Sequence, residues 1–215
     1  MRYRMRIAVF MLASTSIAAL LGEMYGLWRM GLFTFGVATP AFCILMGIMF
    51  FDQTRSDGRL GQMIGIGAVA GLVAAASYDV FRLPFVFSAR WGLQQVVPPL
   101  PLFKVFPQFG AMILGTHDSS STAAKALGWL YHFSNGVTFG IMYAALINGQ
   151  WRARWPVAIP FALALELAML FSPYPATFGI KMTTSFVVVT LAAHTIFGLA
   201  LAFSSIQIGA RMTKC

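Results

Sequence analysis

The sequence is poor in charged residues, and only 6 of its 215 residues are acidic. Charged residues make up 10% of the chain and hydrophobic residues 59%, whereas a soluble domain carries about 25% charged residues. This shortage excludes a surface that mainly contacts water. Continuous apolar runs of about 20 residues instead predict an all-α fold, a polytopic membrane helical bundle, because a helix satisfies its own backbone hydrogen bonds within the bilayer.

The sequence also lacks the motifs of several common enzyme and metal-binding classes. Its two cysteines, Cys43 in an apolar run and Cys215 at the last position, form no CxxC motif and are not expected to pair. GxSxG, HExxH and P-loop motifs are missing as well. A non-enzymatic function is therefore favoured, and a membrane-embedded metalloenzyme built from histidines and carboxylates stays an open alternative.

Six apolar runs predict membrane-spanning helices, which together form a single transmembrane domain over residues 1–215. The predicted spans are about 7–27, 32–51, 60–81, 123–147, 155–171 and 182–208. The arginine-rich start and the small residues Ala18 and Ala19 also suit a signal peptide, and we interpret this first run as a retained span.

Residues 82–122 interrupt this pattern after the third span. They are largely apolar but contain Pro84, Pro98, Pro99, Pro101 and Pro107. Because each proline removes a backbone hydrogen bond that lipid cannot replace, a regular spanning helix is not expected here. We predict an interfacial or re-entrant segment over 83–115, followed by a polar loop up to 122.

The basic residues lie mainly at the ends of the predicted spans, as is typical of a membrane protein. The net charge of +9 therefore does not indicate a nucleic-acid partner. With the N-terminus inside, the cytoplasmic cations are Arg2, Arg4, Arg6, Arg55, Arg59, Arg152, Arg154, Arg211 and Lys214. The remaining cations are Arg29, Arg82, Arg90, Lys104, Lys125 and Lys181. More cations lie on the cytoplasmic side than on the outer side in this arrangement, which predicts an inner (plasma) membrane protein with both termini cytoplasmic.

Six polar side chains within or near the spans are candidate functional residues, because ionisable groups are costly in a bilayer and usually serve a function there. They are Glu23, Asp79, His132, Asn135, Glu166 and His194. At about 1.5 Å of rise per residue, the five ionisable groups all fall in the predicted outer half of the bilayer. We expect His132, His194 and Glu166 to converge there. The alternatives are structural: Asp79 pairs with Arg82, Glu23 reaches the headgroups, and the histidines bond to neighbouring helices.

Two functional hypotheses involve these residues directly. In the first, His132 and His194 bind a haem, or together with Glu166 a transition metal, because imidazole is a common ligand of both. The patterns His132-x3-Gly136-x3-Gly140 and His194-x3-Gly198-x3-Ala202 would leave room beside each histidine for a flat macrocycle. In the second, the same side chains form the proton or ion path of a small transporter or channel, with Glu166, Asp79, Glu23 and Asn135 as its members.

A third hypothesis is a non-enzymatic subunit of a larger membrane complex, with or without such a cofactor. It is favoured because the sequence has no evident soluble domain or nucleotide motif and has many Phe and Met residues that suit adaptable packing. The expected partners are the lipid bilayer and other membrane subunits. The identity of any cofactor stays unknown, and the small transporter is the alternative.

Overall fold

A computed structural model of the chain describes residues 3–55 and 58–212, which form helices and turns without strands. Three residues used in the charge and cysteine predictions, Arg2, Lys214 and Cys215, lie outside the described residues. The helices are α1 (Tyr3–Met24), α2 (Met30–Phe33), α3 (Thr39–Arg55), α4 (Arg59–Val86), α5 (Val105–Leu114), α6 (Thr122–Ile147), α7 (Trp151–Arg154), α8 (Ala158–Leu170), α9 (Tyr174–Thr177) and α10 (Thr184–Met212). A π-helical turn over Thr34–Ala38 joins α2 to α3, and a 3-10 turn over Trp155–Val157 joins α7 to α8.

Among the described residues, five helical segments are long and apolar enough to cross a membrane, which confirms the predicted membrane helical bundle. They are Tyr3–Met24, Met30–Asp52, Arg59–Val86, Trp151–Leu170 and Thr184–Arg211. The remaining predicted span, 123–147, corresponds to α6, which is 26 residues long but is not among these five. Lys125, His132 and Asn135 lower its mean hydropathy.

Helix α6 occupies the centre of the bundle. It packs against α4, α5 and α1, while α10 packs against α4 and α8, and α3 packs against α4. This position explains why His132 and Asn135 are tolerated in α6, because these two polar side chains face protein rather than lipid.

Glycines allow the backbones of α4 and α6 to approach closely. A Cβ atom added at Gly71 would lie 2.9 Å from the Cα of Gly140, and one added at Gly67 would lie 2.7 Å from the Gly140 carbonyl oxygen. One added at Gly136 would lie 2.5 Å from the Cβ of Ala75. Such small residues at four-residue spacing are typical of close helix crossings in membranes.

The proline-rich segment after α4 is irregular between residues 87 and 104, and α4 itself is longer than the predicted span of 60–81. It continues through Pro84 to Val86, because the charged Arg82 that suggested an end at Phe81 is buried and paired with Asp79 inside the bundle. The segment then forms turns until α5, which packs on α6 where Gly110 approaches the backbone of Ala124. No bilayer accompanies the structure, so the interfacial or re-entrant placement of 83–115 stays a prediction.

At the opposite end of α6, the Arg6 side chain stabilises the helix terminus. Its Nε donates to the carbonyl oxygen of Ala145 at 3.0 Å, and one Nη donates to that of Leu146 at 2.9 Å. The last carbonyls of a helix have no partner within the helix and carry partial negative charge, so a guanidinium is favourable there. Arg6 thus ties α1 to the central helix.

Candidate functional site

The first part of the site is a histidine–carboxylate pair between α4 and α6. The Nε2 of His132 lies 2.8 Å from the Oδ2 of Asp79, and both side chains are largely buried. Because an ionised carboxylate can only accept, the imidazole Nε2 carries the hydrogen and donates it. The pair forms here because Asp79 lies one helical turn beyond Ala75, which packs against Gly136 of α6.

The Asp79 carboxylate also pairs with the guanidinium of Arg82, which lies one turn further along α4. The Nη1 of Arg82 lies 3.3 Å from the Oδ1 of Asp79, which confirms the pairing expected from their spacing. The Nη2 of Arg82 donates to the carbonyl oxygen of Leu102, and the guanidinium lies over the ring of Tyr78. Arg82 is only 4% exposed, so this pair is buried within the bundle.

The second part of the site joins α8 to α10. The Nδ1 of His194 lies 3.2 Å from the Oε2 of Glu166 and 3.0 Å from the backbone carbonyl oxygen of Thr190. Both neighbours are acceptors, so Nδ1 carries the hydrogen. Glu166, for which the sequence shows no nearby cation, thus has an imidazole from another helix as its partner.

Tyr78 connects the two histidine–carboxylate pairs. The centre of its ring lies 4.9 Å from that of His194, edge to face, and 6.0 Å from that of His132. The other side of His132 is covered by the stacked ring of Phe106, with ring centres 4.2 Å apart. The structure therefore brings His132, His194, Glu166 and Asp79 together around one half-buried tyrosine, at the end of the bundle where α4 and α8 finish and α6 and α10 begin.

Two neighbouring cavities meet at these residues. The first, of about 200 Å³, is lined by His132, His194, Glu166 and Asn135, and we call it the histidine cavity. The second, of about 410 Å³, is lined by Arg82, Lys104, Lys181 and Glu166, and we call it the cationic cavity. Three side chains line both cavities: Tyr78, Glu166 and Tyr174.

The two remaining predicted site residues have different positions. Asn135 lines the histidine cavity, and its Oδ1 accepts a hydrogen bond of 2.6 Å from the Ser16 hydroxyl on α1. The Glu23 carboxylate accepts a hydrogen bond from the backbone N–H of Met30, the first residue of α2. Since that N–H has no partner within its own helix, Glu23 stabilises a helix start. This contact gives Glu23 a structural role.

The space beside the two histidines determines whether the predicted haem or metal fits there. The space beside Gly136 and Gly140 is filled by the backbone of α4, and the space beside Gly198 by that of α8 around Ala158. These small residues therefore leave no room for a macrocycle, contrary to the interpretation of their spacing. Within the described part of the chain, groups of three or more His, Cys, Asp or Glu side chains suited to a metal ion are also absent.

The dimensions of the histidine cavity also argue against a macrocycle. Its volume of about 200 Å³ is below the range of about 300–1,000 Å³ typical of sites for drug-sized ligands, and the Tyr78 ring lies against both imidazoles. These dimensions favour a site for protons over a site for a macrocycle. Haem or metal binding through His132, His194 and Glu166 stays a prediction.

Sequence reasoning missed two members of the site, Tyr78 and Tyr174. Tyr78 was not singled out, although it directly precedes Asp79, and Tyr174 lies in a short connection between two predicted spans. A tyrosine beside an intramembrane carboxylate is a signal that can be read from sequence, but the contact between Tyr78 and α10 depends on the packing of distant helices.

Comparison with known proteins provides no family assignment, because no protein-family model, curated protein or solved structure matches the chain. What the fold and composition establish is a helical membrane protein with a buried cluster of histidines and carboxylates.

Proposed function

We propose that this protein is a small proton-coupled transporter, in which the two histidine–carboxylate pairs bind and release the coupling protons. The single observation that carries the proposal is the convergence of both pairs on the Tyr78 ring, with both histidines and Glu166 lining one cavity. Isolated structural histidines would have no reason to lie in one cluster with two carboxylates, an arginine and a tyrosine. Intramembrane groups of this kind are typical of proton relays.

The chemistry of each pair suits proton exchange. In its neutral form the His132 imidazole donates its Nε2–H to Asp79, and the His194 imidazole donates its Nδ1–H to the Thr190 carbonyl oxygen beside Glu166. The other ring nitrogen of each histidine is then a proton acceptor. A proton taken up there gives an imidazolium that remains next to a negative charge, which offsets part of the cost of burying it. Histidine is also the side chain whose ordinary titration falls between pH 5 and 8.

Charged and titratable side chains from several parts of the bundle surround the two pairs, and all of them influence proton binding. In addition to the pairs themselves, they are Tyr78 and Arg82 of α4, Tyr174 of α9, and Lys104 and Lys181 at the rim of the cationic cavity. In the orientation proposed from the charge distribution, with both termini cytoplasmic in the inner membrane, this end of the bundle faces outward. Protons would then enter from the outer side.

The proposal is tested with purified protein in liposomes that contain a pH-sensitive dye. A panel of small organic anions, amines and sugars is added outside, with and without an imposed membrane potential. We expect at least one solute gradient to change the internal pH, and we expect Glu166→Gln and His132→Gln to slow this proton flux at least tenfold. The exposed-site variant Lys125→Gln should leave it unchanged.

Two results of this liposome experiment would contradict the proposal. One is the absence of proton flux with every solute of the panel and with the imposed membrane potential. The other is proton flux that the Glu166→Gln and His132→Gln variants leave intact, because the pairs would then have no part in it.

One observation favours the complex-subunit hypothesis as a second candidate. The segment Met30–Asp52 buries the smallest share of its residues among the five apolar segments, and it exposes Leu32, Phe35 and Phe50. Such a face is able to contact a second membrane protein as well as lipid. A partner that co-purifies in stoichiometric amount from native membranes in mild detergent would support this candidate, and a protein purified alone that is active in liposomes would contradict it.

A further inference from the structure

The cationic cavity lies beside the histidine cavity and differs from it in charge. Its lining includes three cations, Arg82, Lys104 and Lys181, against one carboxylate, Glu166. Lys104 and Lys181 are exposed and form the rim, whereas Arg82 is almost completely buried. A cavity with low-dielectric walls and an excess of one charge concentrates ligands of the opposite charge.

Arg82 has hydrogen-bonding capacity beyond its two protein partners. A guanidinium has five N–H donors, and here Nη1 is directed to Asp79 and Nη2 to the carbonyl oxygen of Leu102. Its Nε is one of three buried polar side-chain atoms in the described residues that have no hydrogen-bond partner. Since a buried unsatisfied donor is costly, the group is suited to an acceptor that arrives with a ligand.

The remaining walls of the cavity are apolar and aromatic. They include Tyr78, Phe178, Phe186, Pro99 and Leu100. A volume of about 410 Å³ falls within the range of about 300–1,000 Å³ that is usual for small-molecule sites. An inorganic ion would leave most of this surface without contact, whereas an organic anion with an apolar body would cover it.

We infer that the cationic cavity binds a small organic carboxylate, with its charged group between Arg82 and Lys181 and its apolar body against the aromatic walls. This inference rests on the proposed transport function, for which it names the substrate class. The carboxylate would lie next to Glu166, which belongs to both cavities. A proton on the pair of Glu166 and His194 reduces the repulsion between the two carboxyl groups, so the anion and a proton bind together.

The test measures binding directly, by calorimetry on detergent-purified protein at a fixed pH, with benzoate as the probe. Benzamide, which has the same shape without the charge, and benzylamine, which has the opposite charge, are the comparison ligands. We expect benzoate to bind and the other two to bind at least tenfold more weakly. The double variant Lys104→Gln/Lys181→Gln should weaken benzoate binding about fivefold, since two partly exposed cations are removed.

Lys125→Gln is the matched control, because it removes an exposed lysine at the same end of the bundle that does not line the cavity. It should change benzoate affinity less than about twofold. Equal affinity for benzoate and benzamide, or benzoate binding that the double lysine variant leaves unchanged, would overturn the inference.

A phospholipid headgroup is another source of anionic charge at such a rim, so short-chain phosphatidylglycerol is titrated in parallel. Binding of this lipid without binding of benzoate would overturn the inference. The transport proposal is tested separately. If benzoate binds but drives no proton flux in liposomes, the anion site is supported and transport of this anion is contradicted. If only an amine or a sugar drives proton flux, transport is supported and the anion site is contradicted.

Discussion

An Arg82→Gln variant is expected to unfold at a markedly lower temperature than the unaltered protein. The substitution removes the cation that pairs with the Asp79 carboxylate, which keeps the His132 imidazole as a partner, and it removes the donor to the carbonyl oxygen of Leu102. Breaking a buried ion pair by removing one member costs about 3–5 kcal/mol, because the other charge stays buried without compensation. The measurement is thermal unfolding in detergent, where each kcal/mol corresponds to about 2–4 °C for a chain of this size.

The double variant Asp79→Asn/Arg82→Gln separates the ion pair from other effects of losing the arginine. Because it removes both charges, it should recover more than half of the stability lost in Arg82→Gln. Arg90→Gln, which removes an exposed arginine close to the same helix end, is expected to stay within about 0.5 kcal/mol of the unaltered protein. A double variant no more stable than Arg82→Gln would show that Asp79 does not depend on this cation.

A Gly140→Ala variant should also be strongly destabilised, although it adds a single methyl group. That methyl group would lie 2.7 Å from the Cα of Gly71 and even closer to the carbonyl oxygen of Gly67. Both are backbone atoms, so no side-chain rotation relieves the overlap and α4 must move away from α6. Overpacking of this kind costs about 1–3 kcal/mol, and the shift would also separate Asp79 from His132.

Gly47→Ala is the control, since a Cβ at Gly47, which is likewise within a helix, meets nothing within 4 Å. Alanine is the better helix former by about 1 kcal/mol, so this variant should be as stable as the unaltered protein or more stable. Thermal unfolding of both variants checks the pair of expectations. Equal melting temperatures for Gly140→Ala and the unaltered protein would contradict the close crossing of α4 and α6.

The class of fold and part of the site could be predicted from the sequence for one physical reason. Lipid excludes polar groups, so the few ionisable side chains in apolar runs are conspicuous, and His132, His194, Glu166 and Asp79 were identified in this way. Composition alone does not determine which of them form pairs. The pairing of Glu166 with His194 requires the packing of α8 on α10, which carries no local sequence signal.

Two interpretations differed from the structure because the same pattern has two physical causes. Small residues one and two turns after a histidine can make room for a cofactor or for another helix, and at Gly136 and Gly140 the neighbour is α4. A charged residue near the end of an apolar run can mark the end of a helix or be paired within it, and Arg82, paired with Asp79, lies inside α4, which continues to Val86. Only the tertiary structure distinguishes these causes.

The measurement that tests the central claim most directly is the number of protons that the purified protein takes up when the pH is lowered from 8 to 5. It compares the unaltered protein with the double variant His132→Gln/His194→Gln, using a pH-indicator dye in weakly buffered detergent solution. The account predicts that the unaltered protein takes up more protons than the double variant, by as much as one for each imidazole. Equal proton uptake by the two proteins would show that the buried histidines do not exchange protons in this range, and the proposed proton site would be contradicted.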